Sequence, residues 1–230
     1  MTTNNAWNNQ VLDADVTFNG GTVSIGTDAT SGAINIGTGA AARTTTIGNT
    51  TGASALALKC GTGDFSLASA SGTLISALDT GAVTKPLQPA FSAYRSSTAS
   101  NVTGNGTLYH VIFNSEFYDI GGNYNTGTGN FTAPVDGIYL FRASVELGGI
   151  VAIGYLYLKF NSSSTQTKQI IYCKPVTGIS LAYEICGIMK LSAGDTVYVS
   201  VQSYGEAGDV EEVNGDANGI VTNFAGILLA

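Results

Sequence analysis

A chain of 230 residues with 16 acidic and nine basic side chains carries a formal charge of −7. That balance excludes nucleic acid and anionic membrane surfaces as partners, because both select for basic patches. Hydrophobic residues at 44% exclude global disorder, while 11% charged residues and 30 glycines fit an all-β or fibrous β protein with frequent turns.

The chain opens on MTTNNAWNNQ, which lacks the basic start and apolar run of a secretory signal, and residues 1–22 read as a polar segment. An 11-residue repeat follows. VSIG begins at Val23, INIG at Ile34, TTIG at Thr45 and LALK at Leu56, and the first position continues as Leu67 and Leu78. The second apolar position holds Ile25, Ile36, Ile47 and Leu58, then lapses to Ser69 and Thr80. Each copy reads as a short alternating strand closed by Gly and a Thr/Gly/Ala-rich turn. Eleven extended residues span about 36 Å, a perimeter too small for a single-chain coil with walls about 10 Å apart. Either two copies make one coil of a wider solenoid, or three chains each supply one side of a triangular rung. One apolar stripe per copy favours three chains, so residues 23–88 read as a β-repeat stalk.

Within the stalk, Gly37-Thr-Gly39-Ala-Ala-Ala42 matches a dinucleotide-binding pattern. That pattern needs a helix after it, whereas ARTTTIGN is another repeat strand, so no cofactor is expected. Cys60, Cys173 and Cys186 form no disulfide framework. Cys173 and Cys186 could pair, but unpaired buried thiols in a reducing compartment are the favoured reading. The most apolar stretch, LGGIVAIGYLYLKF, is too short to span a bilayer, so no membrane insertion is expected.

Lys85-Pro86-Leu87-Gln88-Pro89 stiffens a boundary, since proline fixes φ and restrains the residue before it. Beyond it the texture changes to about ten alternating strands with turn signals such as Gly121-Gly122 and Ala193-Gly194-Asp195, which predicts a jelly-roll sandwich over residues 89–230. Aromatic residues recur there at fixed intervals: Phe113, Asp119, Tyr124, Phe131, then Gly137-Ile-Tyr139-Leu-Phe141. The rings are expected to fill the sandwich core, with Asp119, Gly121 and Gly137 in turns needing special backbone angles.

This spacing resembles the signature of complement C1q-like globular heads at every interval. Leu191-Ser-Ala-Gly194-Asp195-Thr-Val197 looks like that family's penultimate strand, and Phe224-Ala-Gly226-Ile-Leu-Leu229 like its closing strand. The resemblance implies a ten-stranded C1q/TNF-like jelly roll that assembles as a threefold trimer, in line with the stalk's own demand for three chains. The family's best-known stalks are collagenous, and residues 1–88 show no Gly at every third position. A β-repeat fibre under a small trimeric head instead resembles phage tail fibres and trimeric bacterial adhesins, and implies a particle or cell surface as the place of action.

Catalytic constellations are sparse. His110 is the only histidine and lies in the strand LYHVIF, where a structural role is expected, and the scattered Cys and His lack zinc-ligand spacing. Glu116, Asp119, Glu146 and Glu184 are the formal candidates for a two-carboxylate glycan hydrolase. The acidic segment from Tyr204 to Asp216 is more informative, and Tyr204, Glu206, Asp209, Glu211, Glu212 and Asp216 are the candidate ligand-contacting residues. In the resembling heads this segment is a loop toward an exposed end, where three copies could bind Ca²⁺ or a cationic or polyhydroxyl ligand. Some family members hold Ca²⁺ on an acidic run before the strand that here reads AYEICGIMKL. The matching stretch CKPVTGISL has no carboxylate, so that metal site does not carry over. The leading expectation is a non-enzymatic homotrimeric fibre whose tip recognises a host or target-cell glycan or protein. A decoration fibre whose head serves trimer registration, and a glycan depolymerase, are the alternatives.

Overall fold

The computed structural model describes Leu58 and residues 64–230, apart from 152–153, 164–167, 171–179 and 220; for residues 168–170 it describes the backbone alone. The chain divides into two units, Met1–Leu58 and Lys59–Ala230. Residues 1–22, the repeat copies beginning at Val23, Ile34 and Thr45, and Cys60 and Cys173 lie outside the described residues. No described residue is helical.

The second unit begins with an antiparallel meander of β1 (Phe65–Ser69), β2 (Gly72–Ala77) and β3 (Val83–Thr84). The fifth repeat copy follows its expectation, with Leu67 and Ser69 in a strand ahead of a turn. The sixth does not: Leu78 and Thr80 lie in a turn where Leu78 N–H donates to Ala82 O at 2.8 Å and Gly81 N–H to Leu78 O at 2.9 Å. The strand falls earlier, because Thr73, Ile75 and Ala77 carry the alternation and Asp79-Thr80-Gly81 supplies turn chemistry.

From residue 89 the chain is an all-β jelly roll. One sheet holds β5 (Ala99–Thr103), β15 (Glu211–Val213), β10 (Gly137–Gly148), β16 (Asn223–Leu228), β4 (Ala90–Tyr94) and β7 (Ser115–Ile120) in that order, with β13 (Leu181–Leu191) on the free edge of β10. The other runs β12 (Lys168–Ile170), β11 (Tyr155–Ser162), β14 (Thr196–Tyr204), β9 (Asn130–Thr132) and β8 (Tyr124–Asn125), with β6 (Leu108–His110) beside β14. The described head thus has thirteen strand segments, β4 to β16, instead of ten. The extra ones, β5, β8 and β15, are short and rich in Asn, Ser or Glu, so they carry little strand propensity of their own.

Alternation dictates what faces inward. Leu156, Leu158 and Phe160 of β11 and Val197, Val199 and Val201 of β14 meet Tyr139, Phe141, Val145 and Leu147 of β10 in one core. Phe91 stacks on Tyr124 at 4.9 Å and on Phe131 at 5.1 Å, while Phe224 meets it edge-on at 4.9 Å. Phe113, Tyr124, Phe131, Tyr139 and Phe141 are all buried, as their spacing predicts. The two phenols find backbone acceptors: Tyr124 donates to Phe113 O at 3.1 Å and Tyr139 to Val135 O at 2.8 Å.

Asp119 fixes the turn that delivers Tyr124, its carboxylate accepting the N–H groups of Asn123 at 3.0 Å and Tyr124 at 2.8 Å. Gly121 within that turn has φ +96°, as expected of a turn glycine. Asp195 works similarly after β13, accepting from Ser192 N–H at 2.9 Å beside Gly194 at φ +90°. Gly137 departs from expectation. Its φ is ordinary, and glycine is needed because a Cβ there would sit 2.5 Å from Leu228 Cδ1 and 2.8 Å from Ala230 O, where the C-terminus pairs with Ile138.

Gly226 lies against the ring stack, and a Cβ added there would stand 2.6 Å from Phe91 Cε1 and 2.7 Å from Phe141. Gly226→Ala overpacks the core and is expected to cost about 1–3 kcal/mol. Urea unfolding would show a lower midpoint at unchanged m-value.

Candidate functional site

The acidic segment proves to be only partly a loop. Tyr204 ends β14, Glu206 and Asp209 lie in the following turn, Glu211 and Glu212 are in β15, and Asp216 caps a further turn. The structure gives most of these carboxylates internal work. Asp209 accepts from Thr107 Oγ1 at 2.6 Å and from Asn105 N–H at 3.4 Å, tying the two loops together. Glu206 accepts Val151 N–H at 2.8 Å. Asp216 accepts the N–H groups of Asn218 at 2.8 Å and Val221 at 3.1 Å. Glu212 meets Ser100 Oγ at 3.4 Å. Among the described residues, no group of three Asp, Glu, His or Cys could hold a metal ion.

Three of the four hydrolase candidates are similarly occupied. Asp119 caps its turn, Glu184 is paired with Arg142, and Glu146 accepts from Asn214 Nδ2 at 2.7 Å. Glu116 stands apart from the latter two, in β7. His110 packs on Tyr198 with ring centroids 4.2 Å apart, and burial pushes its pKa down, which suits a structural imidazole.

Tyr204 stands in a cluster that the sequence reading missed. Cross-strand pairing sets Tyr155 opposite Tyr204 and Tyr157 opposite Gln202 on the outer face of the β11–β14 sheet. Tyr155 and Tyr204 stack at 4.3 Å, Tyr157 stands edge-on to both, and Lys159 Nζ lies 4.9 Å from the Tyr157 ring centre. All three tyrosines are half-buried. Gly106 makes room for the cluster, since a Cβ there would lie 2.5 Å from Tyr204 Cε1. Tyr155-x-Tyr157 at strand spacing was the available signal.

The outer face of the other sheet carries an apolar patch at one end, with Arg142, Glu146, Glu184 and Lys190 also on it. Leu140 of β10 pairs with Ile188 of β13 on one side and Ile227 of β16 on the other, and Ile138 lies two residues along. Ile188 is 57% exposed and Ile138 41%. Farther across, Tyr118 is exposed and Phe117 stacks on Tyr94 at 4.6 Å. Cys186 is a free thiol on this face, opposite Arg142. It is exposed rather than buried, because β13 turns its even-numbered positions outward.

Glu211 is the exception among the carboxylates: it is fully buried. Ser203 Oγ donates to its Oε1 at 2.9 Å, while Oε2 has no partner among the described residues. Burial pushes its pKa up, and Glu206 and Asp209 add to the rise. With the folded pKa above the unfolded value of about 4.3, the stabilisation is full below that value and is lost as pH rises through the folded pKa. Glu211→Gln is therefore expected to raise stability at neutral pH and to flatten this loss. Urea midpoints measured from acid to neutral pH check it.

The C1q domain family model matches residues 90–229. Complement C1q tumor necrosis factor-related protein 3 of Homo sapiens and that of Mus musculus are each 29% identical over 143 residues, covering 62% of this chain and 52% of theirs. The chain thus spans about half the length of the curated relatives it matches. Among solved structures, the globular domain of zebrafish complement 1qA is similar at TM-score 0.46 and 22% identity, over 62% of this chain and 98% of that one. Murine APRIL, in the crystal structure at pH 8.5, is similar at TM-score 0.43 and 11% identity, over 62% and 99%. By the family match, which takes in the aromatic core, both sheets and more than half of the chain, this protein belongs to the C1q domain family.

Proposed function

We propose that the protein is a homotrimeric fibre whose C1q-like tip recognises a glycan or protein on a host or target-cell surface. The observation that carries the reading is the exposed apolar patch of Ile138, Ile188 and Ile227 around half-buried Leu140. C1q/TNF-like domains often form trimers and bind ligands, and a contiguous exposed apolar patch on a sheet is what self-association would cover. The threefold axis belongs on this face, which also carries the Arg142–Glu184 pair as a registering contact.

Trimerisation through one sheet leaves the opposite sheet outward, with Tyr155, Tyr157 and Tyr204 beside the loop held by Asp209. Tyrosines give rigid, amphipathic contact area, and Lys159 and Gln202 on the same face add polar reach. Three such surfaces on one tip convert weak contacts into avidity. The reading assigns binding rather than catalysis, since most of the candidate carboxylates serve loops and pairs within the fold. A particle or cell surface is the place where a tip of this kind acts.

Light scattering on the full chain is expected to give three times the chain mass, and Ile188→Asp to give the monomer. A wild-type monomer would defeat the reading. Tyr204→Ala and Tyr157→Ala should leave the mass unchanged and reduce retention on a glycan array or on target cells at least tenfold, as is usual for lost aromatic anchors. Unchanged retention would move the contact surface elsewhere.

A further inference from the structure

The meander β1–β3 leaves part of its apolar face uncovered in a single chain. Phe65 is paired with Ala77, Leu67 with Ile75, and Ala77 with Val83. Alternation therefore puts Phe65, Leu67, Ile75, Ala77 and Val83 on one face, and Ser66, Leu74, Ser76 and Thr84 on the other. An antiparallel sheet with one apolar face normally turns it to the core. Here Leu67 is 50% exposed and Val83 67%, with Phe65, Ile75 and Ala77 half-buried, while on the other face Ser76 is buried at 9% and Leu74 is 45% exposed. Leu74, on that other face, lines a cleft of about 510 Å³ together with Leu87, Val135 and Leu228.

Three features make the missing cover a second and third copy of the same segment. The meander is tied to the head over a short span: Gln88 Nε2 donates to Leu228 O, and Leu228 N–H donates to Pro89 O at 3.0 Å. Heads that trimerise would therefore hold three meanders at high effective concentration. Residues 65–84 contain one charged side chain, Asp79, and it sits in a turn, so nothing on the face repels an identical copy. A small uncharged sheet of this kind would aggregate if left open. Leu67 also holds the first apolar position of the 11-residue repeat, so the sequence pattern that favours three chains reaches this face.

We infer that three copies of β1–β3 close into a three-sided neck whose shared core is Phe65, Leu67, Ile75, Ala77 and Val83. The neck rests on the trimer proposed above, and each chain contributes a whole meander to it as one wall. Residues of the neck would then be protected only in the assembled protein.

The test uses the full chain with the photo-crosslinking residue p-benzoylphenylalanine placed singly at Leu67, at Val83 and, as a control, at Ser66 on the opposite face. Expected are a threefold native mass and interchain crosslinks from positions 67 and 83 but none from 66. Leu67→Asp should keep that mass, because the heads still associate, and speed amide exchange across residues 65–84 about tenfold or more. A threefold mass with crosslinks absent at 67 and 83, or present equally at 66, overturns the neck and leaves the trimer standing. A monomeric mass overturns both. Crosslinks accompanied by a mass well above threefold overturn the neck as well, because the face would then be covered by neighbouring particles.

Discussion

Everything outward in the head depends on the rings packed inward. Phe91, Phe141 and Phe224 project from one sheet and Tyr124 and Phe131 from the other, with neighbouring centroids about 5 Å apart. Each aromatic side chain buries roughly 150–250 Å², so this set fixes the separation and register of the two layers. Strand alternation then leaves no freedom: with Tyr139 and Phe141 inside, Ile138 and Leu140 must face out, and with Leu156 and Leu158 inside, Tyr155 and Tyr157 must.

The two outer faces so produced differ in chemistry. One carries an aliphatic patch, with Leu140, Ile188 and Ile227 in register across three strands. The other is aromatic and polar, with Tyr204, Gln202 and Lys159 among its members. A closed assembly uses an aliphatic sheet face well, because it buries area without needing directional partners. An amphipathic face is the one suited to reversible contact with something else. Assignment of self-association to the first sheet and recognition to the second follows from this difference and not from the position of any loop.

How much of this was legible in the sequence depended on whether the signal was periodic. The long strands β10, β11, β13 and β14 alternate clearly, and the aromatic intervals around Phe113 to Phe141 carried the family resemblance. β5 and β15 were not legible. Ala99–Thr103 and Glu211–Val213 have no propensity of their own and are strands because β10 and each other's edges hold them. The resemblance makes the acidic run an exposed loop, and that reading conceals the burial of Glu211, which is a tertiary fact. Gly137 looked like a turn glycine, and only the approach of Leu228 and Ala230 shows that space rather than φ selects it. Tyr204 was found for its place beside the acidic run, yet its partners, Tyr155 and Tyr157, lie about 50 residues earlier in the chain and are joined to it by pairing.

The fate of the acidic residues bears on how the tip could vary. Asp209 bridges to Thr107, Glu206 holds the Val151 amide and Asp216 organises its own turn, so the carboxylates brace the loops on which the tyrosine surface stands. On the outward face of β14, Gln202 holds the neighbouring loop too, its Nε2 donating to Gly106 O at 2.7 Å. Substitutions at Tyr157 or Lys159 would alter what the surface meets without touching the ring stack beneath. Glu211 follows the opposite logic: with one oxygen unpartnered inside the fold, it stores a penalty that grows as its proton is lost. Of the five carboxylates named as contact residues, Glu211 is therefore the one least able to reach a ligand.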